Sequence, residues 1–123
     1  MQKIRLADKL AAFQDHFSPK VVGELNGQHV KLVKFQGDFV WHHHDDEDEM
    51  FLVLGGSFRM DYRDDSGEHS LDLNEGEFLI VPRGTEHRPC ADREVHVLLF
   101  EPAGTRNTGN VRNERTVDVL ESI

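Results

Sequence analysis

Turn-forming residues punctuate this chain at close intervals, and that limits what it can fold into. Asn26-Gly27, Gly37-Asp38, Gly55-Gly56, the stretch DDSG at 64–67, Asn74 to Gly76 and the loop through Arg83 and Gly84 each separate short runs. The runs are VVGEL, HVKLVKF, FVWHHH, EMFLVL, SFRMDYR, HSLDL, EFLIVP and EVHVLLFE. Each has the length of a strand, and all but HSLDL carry β-branched or aromatic residues. Asn-Gly is favoured in two-residue hairpins because both positions need positive φ. Many short strands with almost no helix predict an antiparallel sandwich or barrel. Only residues 6–14 read as helix. Leu6, Leu10 and Phe13, with Phe17 a turn further on, recur at helical spacing, and Pro19 ends the segment.

The strand faces carry a second message. SFRMDYR alternates, with Phe58, Met60 and Tyr62 on one face and polar residues on the other. EMFLVL, EFLIVP and VHVLLF are apolar on both faces. Such strands need cover on both sides. One short helix cannot supply it, so a homodimer is expected.

Histidines and one carboxylate mark a candidate site. In WHHHDDEDE, residues 41–49, strand alternation sends His42 and His44 one way and His43 the other. Glu49 follows the acidic stretch 45–48 and opens EMFLVL, where a hairpin-like pairing would set it opposite the two histidines. His87 closes GEFLIVPRGTEH. Neutral imidazole and carboxylate suit divalent zinc, iron, manganese or nickel. Four protein ligands in an octahedral site leave up to two positions for water or substrate.

These two segments resemble the motifs of the cupin superfamily. In the second, Gly76 is followed by five residues, Pro82, one residue, Gly84, two residues and His87. In the first, His42-x-His44 is followed by four residues, Glu49, six residues and Gly56. Gly37 lies one residue closer to the first histidine than is usual, and Ala91 stands where an asparagine often ends the second motif. Neither departure touches the ligand set. The resemblance implies a small single-domain cupin over residues 1–123. A jelly-roll β-barrel of two antiparallel sheets would span about 20–102, with a short N-terminal helix before it and a polar tail, 103–123, after it. It further implies one divalent metal ion inside the barrel, held by His42, His44, Glu49 and His87, with a small-molecule ligand beside it. The activities it suggests are those of isomerases acting on sugar phosphates, mannose-6-phosphate isomerase among them, or of small-molecule dioxygenases.

Composition excludes some partners. Asp and Glu outnumber Lys and Arg by 23 to 14, a net charge of −9. Nucleic acid and anionic membrane surfaces both demand basic patches. No apolar run is long enough to span a bilayer, and the charged start MQKIRLADKL does not read as a signal peptide. The single Cys90 rules out an internal disulfide, so the cytoplasm is the expected compartment.

Other residues are read more plainly. His43 is expected at a second shell or an interface, His96 in the core or a cavity wall, and His16, His29 and His69 at the surface. Cys90 is expected to be a small buried apolar residue. Arg59, Arg63, Arg83 and Arg88 are candidates for holding an anionic substrate, and Glu86 and residues 45–48 for acting as general bases. The tail is expected to pack along a partner or to move, with Asn107 and Asn110 making turn hydrogen bonds. The functional expectation is a metal-dependent enzyme acting on a small polar metabolite. The competing expectation is a non-catalytic module that senses or sequesters a small molecule or the metal.

Overall fold

Asn26 and Gly27 adopt φ of 52° and 78°, the two positive values of a type I′ turn. They join β1 (Lys20–Leu25) to β2 (Gln28–Asp38), with Leu25 opposite Gln28. In this computed structural model, which describes residues 1–123, the turns at Gly56, Gly67 and Gly76 also have positive φ. They separate β3 (Glu49–Gly55), β4 (Ser57–Asp64), β5 (Gly67–Asn74) and β6 (Phe78–Val81). A long β7 (Glu86–Pro102) follows, and a two-residue β8 (Glu121–Ser122) pairs parallel with β1.

β7 is the spine of the jelly roll. Its first part pairs with β4, from Arg63 opposite Glu86 to Arg59 opposite Cys90. Its second part pairs with β3, from Gly55 opposite His96 to Met50 opposite Phe100. β2 runs along its other edge through both parts. Between them the register breaks: Phe35 faces Val95, but Gly37 faces Ala91. The three residues left over on β7 form a bulge that lets one strand serve two sheets. The ladder does not close on itself. β5 pairs only with β4, and β6 only with β3, so both present free edges.

The core lies between the sheets. Twelve buried apolar residues form one cluster, including Phe35, Phe51, Phe58, Met60 and the β7 residues Val95, Val97 and Leu99. Full burial of such side chains stabilises by about 1.5–3 kcal/mol apiece.

Three elements differ from expectation. The helix α1 spans only Leu6–Ala11. It stops early because Phe13 turns inward and the Lys34 ammonium, buried on β2, takes the carbonyls of Leu10 and Phe13 at 2.6 and 2.8 Å. FVWHHH is not a strand: its one ladder contact is the bridge between His42 and His87. The tail folds onto its own chain, with Thr105 and Thr108 buried. Asn107 makes no local turn bond but ties the tail together, accepting from Val117 N and donating to Arg115 O. Asn110 instead reaches back to His43.

Candidate metal centre

His42, His44, Glu49 and His87 converge, although not by the hairpin expected. Glu49 pairs with Val81 across β3 and β6, in one sheet. His87 lies on β7 in the other sheet, between Tyr62 and His42. The carboxylate therefore faces the histidines across the sandwich. One potential ligand atom from each of the four residues lies within 4.8 Å of the other three. All four residues are buried, His87 completely.

Local hydrogen bonds aim the rings. His42 Nδ1 lies 2.9 Å from Val40 O, and His87 Nδ1 lies 2.9 Å from Thr85 O. A carbonyl only accepts, so each Nδ1 carries the proton and each Nε2 keeps its lone pair. Gly84 N donates to His44 O at 2.7 Å, which ties the two motif segments together. The Pro82-Arg83-Gly84 turn that makes this bond possible has Gly84 at φ 80°.

The donor atoms fit a cation. His44 Nε2, Glu49 Oε1 and His87 Nε2 are buried with no hydrogen-bond partner. Glu49 Oε1 lies 3.6 Å from His44 Nε2 and 3.4 Å from His87 Nε2. Orphaned polar atoms this deep are costly, and three of them around one point are what a divalent ion relieves. Burial, then the charge of His87, push the His42 imidazole down to about 3, so it is neutral and ready to ligate at neutral pH. Burial opposes ionisation of Glu49, but the close approach of Glu101, His44 and His87 outweighs it and holds its carboxyl well below the usual range.

Sequence reasoning missed the residues behind Glu49. Lys31 and Glu101 are almost wholly buried and paired at 2.7 Å, and Glu101 lies near Glu49. Burial and the Glu49 charge push the Glu101 carboxyl up. A period-2 signal was available. Lys31 shares a strand face with Val33 and Phe35, and Glu101 shares one with Val95, Val97 and Leu99. Beside this pair lies a small cavity of about 40 Å³, lined by Phe17, Phe35, Phe39, His42, Glu49 and Glu101 among others.

The remaining candidates lie elsewhere. His43 points away, toward Asp45 at 3.0 Å, as alternation requires. His96 is not a core residue: it sits on the outer face against Glu94 at 3.1 Å. Cys90 is buried beside Asp61, and its thiol is pushed up to about 11 by burial and by Asp38, which removes it as a nucleophile. No arginine reaches the site. Arg59 and Arg88 clamp the buried Asp61 at 2.7 and 2.9 Å, Arg83 pairs with Asp48, and Arg63 pairs with Glu86 and stacks on Trp41. Asp48 and Glu86 are thereby committed to those arginines.

An antiparallel jelly roll with three inward imidazoles and one carboxylate, supplied by two glycine-framed segments, defines a small protein built around a potential metal centre. Residues 29–101 match the cupin domain family, and the chain belongs to it. An uncharacterised protein of Bacillus subtilis strain 168, YdbB, is 39% identical over 67 residues, which are 54% of this chain and 57% of that protein. A cupin-2 domain containing protein from Shewanella frigidimarina superposes with a TM-score of 0.76 at 40% identity, over 80% of this chain and 93% of its own. Protein NMB1881 from Neisseria meningitidis does so with a TM-score of 0.73 at 29% identity, over 83% and 100%.

Proposed function

We propose that this cupin binds one divalent metal ion through His42, His44, Glu49 and His87 and acts as a metal-dependent enzyme on a small organic molecule. The observation that carries the reading is the set of buried, unpartnered donor atoms at one point. A bound ion of this kind acts as a Lewis acid toward a carbonyl or hydroxyl, or holds oxygen and substrate together if it is iron. Isomerase-like and dioxygenase-like activities both fall within that chemistry. The chain's own residues supply the rest. Val40 O and Thr85 O fix the imidazole protons, and the Lys31–Glu101 pair sets the field beside the Glu49 carboxylate. Burial keeps bulk water from the centre.

A second reading, a non-catalytic module that senses or sequesters a metal or small molecule, has one observation in its favour. The interior is largely filled by its own side chains, and the cavity beside the site holds only about 40 Å³. Elemental analysis of protein purified without a metal-affinity column tests the metal. Thermal-shift screening of metabolites on the loaded protein then separates the two readings.

The proposal extends to assembly and compartment. No helix is long and apolar enough to cross a membrane, and a reducing cytoplasm fits a single thiol. The outer faces of β3, β6 and β7 place Met50, Leu52, Phe78, Ile80, Leu98 and Phe100 side by side. Phe78 and Ile80 are 61% and 58% exposed. α1 lies over β2 instead. A second copy of the chain is the natural cover for this face.

A further inference from the structure

We propose that the crevice between the free edges of β5 and β6 binds the apolar, ring-sized body of an uncharged small molecule, which lies there against the metal centre. This rests on the reading above that His42, His44, Glu49 and His87 hold an ion.

Three spaces touch those four residues. The cavity at His42 and Glu49, about 40 Å³, holds no more than a few water-sized groups. The recess at His44 is wide, about 240 Å³, but it opens among Asp45, Asp46 and Glu47 and has no apolar wall. It suits the entry of a cation and repels an anion. The third space is the crevice, about 180 Å³, where the open ladder leaves the two sheets unjoined. An apolar cavity of about 150 Å³ accepts a benzene ring, so one ring fits here.

The walls set the class of ligand. Met60 and Leu71 from one sheet face Leu79 and Val81 from the other, with Ile80 at the rim and Pro82 at one end. Their only polar companions are Tyr62, Thr85 and His87, and no charged residue lines the space. A phosphate or carboxylate would lose its water there with no cation in return. A hexose would set most of its hydroxyls against methyl groups. A phenol-like molecule loses little on entry and has one hydroxyl to satisfy. The mouth is open, since Leu71 is 49% exposed. Of the four candidate ligands only His87 borders the space, wholly buried behind its inner wall. The expected small polar metabolite is thus narrowed to one with an apolar body, and a sugar phosphate is disfavoured.

Methyl NMR of the full chain tests this, with 4-methylphenol and mannose 6-phosphate as probes, in metal-free and Zn²⁺-loaded protein. The Leu71, Leu79 and Val81 methyl signals are expected to shift saturably with 4-methylphenol and to stay in place with mannose 6-phosphate. Leu71→Asp, at an exposed position, should weaken the phenol at least tenfold with Zn²⁺ content unchanged. If that variant unfolds, the comparison of the two probes on the wild-type chain decides alone. No shift with the phenol, or an equal shift with mannose 6-phosphate, overturns the assignment. Crevice signals that move with protein concentration instead of the phenol overturn it too, because a second copy then fills the space. A chain that takes up no Zn²⁺ but whose crevice methyls answer the phenol overturns the metal reading and leaves the crevice standing.

Discussion

The main chains of His42 and His87 exchange two hydrogen bonds, His42 N to His87 O at 3.1 Å and His87 N to His42 O at 2.9 Å. Residues far apart in sequence are thereby locked as neighbours, with ring centroids 4.2 Å apart. Ladder bonds fix this spacing, so it exists before any ion arrives. Preorganisation of that kind lowers the cost of assembling a site on binding.

The tail supports the same segment, and Gly109 tests that support. Asn110 N donates to His43 O at 3.0 Å, and His43 N donates to Asn110 Oδ1 at 2.9 Å. A Cβ on Gly109 would lie 2.2 Å from His43 O and 3.0 Å from the His42 ring, at a φ of +55°. Gly109→Ala is expected to push the tail off and to weaken Zn²⁺ binding about tenfold, the low end of what outer-shell changes cost. Calorimetric titration reads this directly. Unchanged affinity would mean the tail lends the site no support.

Lys31→Met should destabilise the protein by roughly 3 kcal/mol, since it leaves the buried Glu101 carboxyl without its cation. Lys31→Met with Glu101→Leu should recover most of that loss, because both polar groups then leave the interior together. Urea unfolding of the single and double variants checks it. A double variant no better than the single would assign the loss to packing instead of charge.

Acid should destabilise the metal-free protein through His42. Its imidazole is lowered from the ordinary 6.5 to about 3, by burial first and then by His87. Below pH 6.5 the unfolded chain takes a proton that the folded chain refuses, so stability present above that pH is lost as pH falls toward 3. The loss is on the order of a few kcal/mol. Acidic residues add a background, so His42→Gln is the comparison, and its curve should be flatter in this window. In metal-loaded protein, protons also compete for the ligands. The thermal midpoint there should fall more steeply on acidification than that of a His44→Ala, His87→Ala double variant. Parallel curves would mean that the histidines hold no ion that matters to folding.

The apolar outer face should make the protein a dimer at micromolar concentration. Phe78→Lys, on a side chain 61% exposed, is expected to shift it to monomer with little loss of stability. Light scattering on both proteins is sufficient. A well-folded wild-type monomer would refute the assembly.

Much of this was legible from strand alternation and turn chemistry. Asn26-Gly27 announced the first hairpin, and alternation separated His43 from His42 and His44. The His42, His44, Glu49 and His87 set came together as spacing and family resemblance implied. What alternation cannot show is which sheet a strand joins. Glu49 was expected across a hairpin from the histidines, but β3 pairs with β6 and β7 and faces them from the opposite sheet. The β7 bulge that splits the sheets leaves no local signature beyond the polar Asp92, Arg93 and Glu94. Lys31 and Glu101 were hidden by their charge, although each sits in register with core residues. The arginines looked free in sequence because their carboxylate partners are mostly far along the chain, as with Arg83 and Asp48.

The central claim is the ion itself. Its direct test is metal content per chain, by elemental analysis of untagged protein, for the wild type and for His44→Ala, His87→Ala and His43→Ala. The predicted result is about one divalent ion per chain in the wild type and in His43→Ala, with sharp loss in His44→Ala and His87→Ala. A wild-type chain that stays metal-free after reconstitution with zinc, iron, manganese and nickel, or equal losses in all three variants, would contradict it.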